Sequence, residues 1–415
     1  MPRPNPPKSI ETTCPYCSLL CDDVAVARDG KGFIIVRNGC KRAKTDYARI
    51  PLQARAMVDG RRASLEDACD RTIRLLKNAS QPLIAGLGTD IDGMRGAVDL
   101  AESTGAIVDH MHGDALAATH RVMQTRGWFA TTLSEIRARS DLVILIDVDL
   151  TDRYESFTRR CLTPKLSLAG ANGAKRRVAH IGRAERCPRA ADTDLRVNCT
   201  GQDVNTVIRE LLAGLNSNKR NSARLRRSLI PLVSAIKDAK YTSIVFSAGM
   251  LSAQPETCIA SMCDVVDEIN KISRAAILGL GGDDGGQSAA AACTWLTGYP
   301  MRVGFSDGIQ YGSQQYATQT LIERGAIDAL LWLDAFGRHS SPPRFAPEKT
   351  VVLAAAEPEN VTDFAAFIPL GTPGIDHFSR LTRTDNVSTL ALRALRKNKL
   401  PSAADVFKQL LEAGR

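Results

Sequence analysis

Three cysteines in CPYCSLLCDD, Cys14, Cys17 and Cys21, and a fourth in NGCK, Cys40, have the spacing of an iron-sulfur ligand set. Thiolates are soft anionic donors suited to iron, and close spacing lets three of them reach one small cluster. The fourth arrives from a later turn at modest cost, because loop-closure entropy grows slowly with length. The same residues can hold structural zinc, although CxxC followed by CxxxC is less typical of a zinc knuckle. They can also be four ordinary thiols that share no atom. A bound [4Fe-4S] cluster, a zinc ion and four separate thiols are the three readings of this segment.

The other chemistry-bearing residues are more scattered. His110 and His112 in VDHMHGD stand two apart, so a strand would put both on one face and a helix would not. Asp114 is close enough in sequence to orient one of them, and such a group can bind a metal or pass a proton. The plainer reading is a surface loop, a subunit contact or a helix start that uses one histidine in a local hydrogen bond. His120 faces the same region one or two turns later, whereas His180, His339 and His377 carry less support. Asp147 and Asp149 alternate with Val148 and Leu150 at the end of DLVILIDVDL, where ligand loops begin in open α/β sheets, but turn formation explains them as well.

The glycine loop GLGGDDGG at 279 to 286 has the backbone freedom to expose N–H groups to an anion. It lacks the order of GxGxxG and the GK[ST] ending of a nucleotide loop, and Asp283 and Asp284 would repel a phosphate. It reads as a solvent loop or a domain junction. No GxSxG elbow and no HExxH helix is present.

These residues need a scaffold, and the pattern supplies one of alternating helices and strands. GFIIVRNG reads as a strand leading to the turn at Cys40, and SLEDACDRTIRLLKNA as a helix with a serine start. QPLIAGLG, DLVILIDVDL, RRVAHIG, YTSIVFSAG, AAILGLGG, GAIDALLWLDAF and TVVLAAA read as strands. Between them MRGAVDLAESTG, TTLSEIRARS, VNTVIRELLAGL, SLIPLVSAIKDA and TCIASMCDVVDEINKI read as helices, and VSTLALRALRKN and SAADVFKQLLEAG close the chain as two more. This grammar predicts α/β units with a largely parallel sheet.

With 415 residues, 44% of them hydrophobic and 24% charged, the chain can bury a large core in two to four domains. The expected division is a cysteine-containing lobe over 1–60, α/β units over 61–200 and 201–340, and a segment over 341–415 that packs back on the core. The net charge of +9 gathers at 173 to 189, 218 to 227 and 393 to 399, stretches suited to an anionic ligand or an acidic partner. Aromatic residues are only 5%, so no stacking platform for nucleic acid accompanies that charge. No apolar run approaches the roughly 20 residues of a membrane span, and the proline-rich start lacks a signal core, so the expected location is the cytoplasm. Outside the first cluster, Cys69, Cys161, Cys187, Cys199, Cys258, Cys263 and Cys293 have no ligand spacing and read mostly as small buried hydrophobes.

Taken together, CPYCSLLCDDV, NGCKRAK, GAVDLAESTGAIVDHMHGD and SDLVILIDVDL resemble the B subunit of formylmethanofuran dehydrogenase. The resemblance continues through GYPMRVGFSDG, RGAIDALLWLDAF and GIDHFSRLTRTDNV, and is strongest to the version found in bacterial formyltransferase/hydrolase complexes. It implies a molybdopterin-oxidoreductase-like multidomain α/β fold, with Cys14, Cys17, Cys21 and Cys40 as the family's cluster ligands. Redox members of that family hold a tungsten- or molybdenum-pterin through a cysteine or selenocysteine before His-Gly-Pro. Here the stretch is MHGD, with Met111 at that place and Asp114 for the proline, and a thioether is a poor anionic donor.

The resemblance therefore implies a non-redox structural B subunit without a working pterin centre, in a complex that moves a formyl group from formyl-tetrahydromethanopterin through a methanofuran-type carrier to formate. Its implied partners are formyltransferase, amidohydrolase-like and glycine-rich sister subunits, with the basic stretches placed to retain a polyanionic carrier. The alternatives are a component of an iron-sulfur and tungsten- or molybdenum-pterin formylmethanofuran dehydrogenase, and an electron-transfer component that uses the cysteine lobe alone.

Overall fold

The computed structural model describes residues 9–163, 176–187, 193–200, 203–216, 225–251 and 254–415. The chain forms two compact units, one built from residues 1–114 and 282–415, the other from residues 115–281. The four consecutive segments expected from the sequence follow chain order, whereas these units follow contacts.

The first unit is organised on a nine-stranded sheet whose central five strands are parallel. In spatial order these are Ile107–Val108, Pro82–Gly88, Ala329–Asp334, Thr350–Ala354 and Ala366–Pro369. Antiparallel strands extend both edges: Val303–Gly304 and Gln310–Tyr311 beyond the first, Met57–Val58 and Arg61–Arg62 beyond the last. Both faces are covered, so these strands are apolar throughout rather than alternating with polar residues. Ile84, Leu331, Leu333, Val351, Leu353 and Ile368 enter one core. Their neighbours Leu83, Ala85, Leu330, Trp332, Val352 and Phe367 enter the other. Helices Leu65–Asn78, Ile91–Thr104, Gly286–Thr297 and Ala403–Ala413 contribute their apolar stripes to the first core.

The expected helix signals operate as read. Ser64 and Asp67, and likewise Ser402 and Asp405, close capping boxes, which satisfy N–H groups that the first turn leaves orphaned. Gly105 ends its helix in the left-handed conformation that lacks a Cβ penalty. One helix expectation is corrected. Residues 387–398 hold a strand, Thr389–Leu392, paired antiparallel with Ser379–Thr382. Leu390 and Leu392 enter a small core with Leu20, Phe336 and Leu381, and this period-two burial outweighs the helix propensity of the alanines and arginines.

The N-terminal residues form a three-stranded antiparallel sheet, Ile10–Thr12, Val24–Asp29 and Gly32–Arg37, followed by the helix Lys41–Tyr47. The second unit has a five-stranded, all-parallel sheet in the order Leu195–Asn198, Arg177–Gly182, Leu142–Ile146, Tyr241–Phe246 and Arg274–Gly279. The parallel part of each sheet starts near its middle and is wound outward in both directions. Each therefore has a switch point where loops diverge, the usual place for a ligand in open α/β sheets.

The boundary between the units falls at Gly281 and Gly282, inside the glycine loop, but the loop is not solvated: Asp283 and Asp284 are 1% and 3% exposed. Gly285 locks it down. Its φ is +77°, and a Cβ there would meet the Thr89 carbonyl oxygen at 1.9 Å. Gly127 also has positive φ, +68°, with nothing within 4 Å of a Cβ. Gly127→Ala should cost about 1 kcal/mol, the intrinsic penalty of the left-handed region. Gly285→Ala should cost about 3 kcal/mol or more, because backbone must move. Urea midpoints of the two variants separate the terms; equal losses would show that the Thr89 approach is not limiting.

Candidate functional site

The site lies in the first unit at the carboxyl ends of its parallel strands. His112 follows the strand Ile107–Val108, His339 follows Ala329–Asp334, and the strand Pro82–Gly88 runs between those two. Asp284 comes from the glycine loop ahead of the helix Gly286–Thr297. His112 Nε2 is 2.9 Å and His339 Nε2 3.6 Å from Asp284 Oδ2, and the two rings meet edge to face at 5.4 Å.

Each of the three residues is fixed from behind. The His112 N–H donates to His110 Nδ1 at 3.0 Å. The His339 N–H donates to Asp334 Oδ2 at 2.5 Å, while Trp332 Nε1 donates to the His339 carbonyl at 2.7 Å. Asp284 sits at φ +52°, an uncommon conformation for a residue with a side chain, and Arg42 holds its other oxygen at 2.8 Å. Leu87, at the end of the central strand, is also left-handed at φ +50°. Burial works against the Asp284 carboxylate, yet hydrogen bonds from His112 and His339 and the charge of Arg42 hold its pKa well below the usual range. The hydrogen bond to Asp284 raises the pKa of His339 against burial. Burial, helped by neighbouring His112, pushes His110 down to about 3 and keeps it neutral.

Arg42 joins this group to the cysteine segment. Its guanidinium bridges Asp283 at 3.1 Å and Asp284 at 2.8 Å and lies 3.7 Å from Asp46. Asp283 also accepts from the Ser18 backbone N–H at 3.0 Å, inside the cysteine loop. Cys14, Cys17 and Cys21 are buried and Cys40 is half-buried, its sulfur accepting from the Ala43 N–H at the start of its helix. Burial raises the Cys14 and Cys17 thiols, and each is raised further by Cys21; Cys40 adds to the effect on Cys14 and Asp283 to that on Cys17. The fold thus brings the four sulfurs into one another's field. They do not gather like ligands of one ion: among the described residues the set of three donor atoms within 4.8 Å is His112, Asp284 and His339. A tetrahedral zinc would hold its sulfurs about 3.8 Å apart, and among the described residues no three of these sulfurs lie that close.

Met111 does not fit as a metal ligand. Its N–H donates to the Gly86 carbonyl at 2.9 Å, and its methyl carbon lies over Gly88, where a Cβ would meet it at 2.9 Å. The side chain packs against the apolar cluster around Trp332.

Several sequence expectations take other roles. Asp114 does not orient a histidine: together with Asp109 it pairs with Arg302, and Asp284 takes the orienting role. In the second unit, Asp147 is fully buried at φ +48° and clamped by Arg183 and Arg186. Asp149 accepts from the Thr151 and Asp152 N–H groups, closing a turn. His180 is buried on its strand, and among the described residues neither ring nitrogen finds a partner. Cys69 and Cys293 lie in one apolar core and Cys258 and Cys263 in another. His339 and Arg42 carry no local motif; the one available signal was the run RHSSPP after an apolar strand, which marks a loop at a strand's carboxyl end.

No family model matches the sequence. The B subunit of tungsten-containing formylmethanofuran dehydrogenase 2 from Methanocaldococcus jannaschii is 24% identical over 358 residues, 81% of this chain and 80% of that one. The B subunit of the formyltransferase/hydrolase complex Fhc from Methylorubrum extorquens is 26% identical over 294 residues, 67% of this chain and 74% of that one. The chain is homologous to the B subunits of the formylmethanofuran dehydrogenase and Fhc family. Among solved structures, a chain of the M. extorquens complex FhcABCD, in complex with methylofuran, superposes with a TM-score of 0.71 at 21% identity, covering 86% of this chain and 98% of that one. Acetylene hydratase from Pelobacter acetylenicus superposes with a TM-score of 0.62 at 10% identity, covering 97% of this chain and 69% of that one. These likenesses show the fold alone, a mixed α/β multidomain one shared with both chains. Among the described residues no helix is long and apolar enough to cross a membrane.

Arg42, 9% exposed, is the keystone of the site. Arg42→Met removes the cation that bridges buried Asp283 and Asp284 and should cost about 3–5 kcal/mol at pH 7. Asp284, depressed when folded, contributes stability above its unfolded pKa that is lost as pH falls through the folded value. Methionine at 42 raises that folded value, so the gap from wild type should narrow as pH falls below about 4. Denaturant titrations at pH 7 and at about pH 3 check this; a gap that does not change with pH would assign the loss to packing.

Proposed function

We propose that this chain is a non-redox B subunit of a formyltransferase/hydrolase-type complex, supporting transfer of a formyl group from formyl-tetrahydromethanopterin through a methanofuran-type carrier and its release as formate. The observation that carries the reading is Met111: at the position where the redox members of the family place a metal-binding cysteine or selenocysteine, this chain puts a thioether packed on Gly88 and the apolar core. Likeness to a complex solved with methylofuran supports the choice of carrier. The chain would act by holding formyltransferase, amidohydrolase-like and glycine-rich subunits together. Trp295, Leu296, Tyr299 and Ile309, all more than a third exposed, provide apolar surface of the kind subunit contacts use. In this reading Cys14, Cys17, Cys21 and Cys40 hold a [4Fe-4S] cluster, which would supply structural cross-linking and, where reducible, electron storage.

Anionic carrier is best placed at a basic cavity of about 490 Å³ in the first unit, lined by Arg28, Lys31, Arg396, Lys397 and Lys399 among others. Arg396 forms its floor, pinned to Asp376 and to the Lys31 and Arg49 carbonyls. Lys31, Lys397 and Lys399 are exposed beside it. The other two basic stretches fit less well. Arg183 and Arg186 are committed to Asp147 and Arg226 to Glu210, while residues 173–175, 188–189 and 218–224, Arg224 included, lie outside the described residues.

A second reading, a component of an iron-sulfur and tungsten- or molybdenum-pterin dehydrogenase, is favoured by the retained cysteines and by relatives named as tungsten-containing. Iron, acid-labile sulfide, tungsten and molybdenum, measured on the anaerobically purified active complex, decide between the two. No tungsten or molybdenum with full activity is expected; stoichiometric tungsten or molybdenum would overturn the non-redox reading. For the cavity, K397E/K399E should weaken retention of a polyglutamate probe about tenfold and flatten its salt dependence. Unchanged retention in an assembled complex would remove the carrier from this surface.

A further inference from the structure

We propose that His112, Asp284 and His339 form a binding site for a divalent transition-metal ion, zinc by the nature of the donors, separate from the cysteine segment. His112 Nε2, His339 Nε2 and Asp284 Oδ2 turn toward one another from three different loops. Ligands of a tetrahedral zinc with bonds of 2.0–2.2 Å stand about 3.4 Å apart. The observed separations from Asp284, 2.9 and 3.6 Å, bracket that value, so a zinc ion enters with small side-chain shifts.

The surroundings favour a cation. Four carboxylates, Asp46, Asp283, Asp284 and Asp334, are buried at 0 to 3% exposure around three guanidiniums, Arg42, Arg49 and Arg338. Asp334 spends its oxygens on the Phe336, Gly337 and His339 N–H groups, and among the described residues no guanidinium pairs with it. Buried carboxylates in such a cluster are stabilised by a protonated histidine or by a metal.

The supporting shell is that of a ligand set held in place. Trp332 and Asp334 fix the backbone of His339 from both sides, His110 fixes that of His112, and Arg42 occupies the Asp284 oxygen that faces away from the histidines. The left-handed backbone of Asp284 is strain that this shell must maintain. The site opens on the histidine side: the His339 side chain is 45% and that of His112 24% exposed, against 3% for Asp284. A metal here would have three protein ligands and a free position toward solvent, the arrangement of zinc sites that bind water or an oxygen-donor ligand such as a carboxylate. The site stands on residues of this chain alone and is independent of the assembly proposed above.

Cobalt(II) is the probe, because its visible spectrum distinguishes nitrogen and oxygen ligands from thiolates through the sulfur-to-cobalt charge-transfer band. The full-length chain, treated with a chelator and dialysed, should take up one equivalent of cobalt with a spectrum free of thiolate character, displaced by zinc. His339→Ala and His112→Ala should each weaken that binding by about tenfold or more. His339 is half-exposed, so its variant should keep the wild-type circular dichroism and carry the test if the His112 variant misfolds. No uptake by wild type, uptake only with a thiolate spectrum, or uptake that a folded His339→Ala chain retains at wild-type affinity would each overturn the proposal.

Discussion

The guanidinium of Arg42, 9% exposed, faces Asp46, Asp283 and Asp284, which are essentially inaccessible to water, and the candidate site depends on that contact. Burial alone would lower the Arg42 pKa, but Asp283 and Asp284 outweigh it, so the cation is secure at any accessible pH. One planar, five-donor group addresses three carboxylates at once in a fixed fork geometry that the point-like lysine ammonium does not reproduce. By satisfying both aspartates of the glycine loop, Arg42 fixes a segment whose glycines would otherwise leave it mobile. It follows directly on the NGC turn of the cysteine segment and so ties that segment to the edge of the parallel sheet.

The two sheets show why the first unit, rather than the second, offers a site. Both are wound from the middle, and in each a residue with a side chain takes positive φ at the switch point: Leu87 in one, Asp147 in the other. At the second switch point the chain closes its own crevice, because Arg183 and Arg186 cover the buried Asp147 carboxylate. At the first, Arg42 covers one oxygen of Asp284 and leaves the other to two histidines with a path to solvent. The same topology gives a sealed structural ion pair in one unit and an accessible donor set in the other.

Much of this was legible in the sequence. Helix starts at Ser64 and Ser402 were readable because capping is local, and the apolar strands were readable because sheets covered on both faces demand continuous runs. The cysteine segment stood out by spacing alone. Three features were not legible. The strand Thr389–Leu392 depends on a partner strand in the preceding turn and on Leu20, far away in the chain. Asp283 and Asp284 read as part of a solvent loop or a domain junction, and their burial was hidden because the arginine that covers them lies more than 240 residues upstream. His339 read as a loop histidine, since its meaning comes from Asp334, Trp332 and Asp284, the last of which is remote in sequence. Local chemistry writes itself into sequence; convergence of loops on a sheet edge does not.

Met111 and the four cysteines pull the functional reading in opposite directions, and burial reconciles them. In the reading proposed above, a thioether at the sheet edge stands in for an anionic ligand, and its methyl lies over Gly88 within the apolar cluster around Trp332. The cysteines are under a different constraint. Cys14, Cys17 and Cys21 are nearly inaccessible, and the loop that carries them includes Leu20 at φ +43° and donates the Ser18 N–H to Asp283. Substitution there disturbs the packing on which Arg42 and both aspartates rest. A chain can therefore lose the ligand that sits on the rim of the site more easily than the thiols built into its foundation, and retention of those thiols is weaker evidence for redox chemistry than their spacing alone suggests.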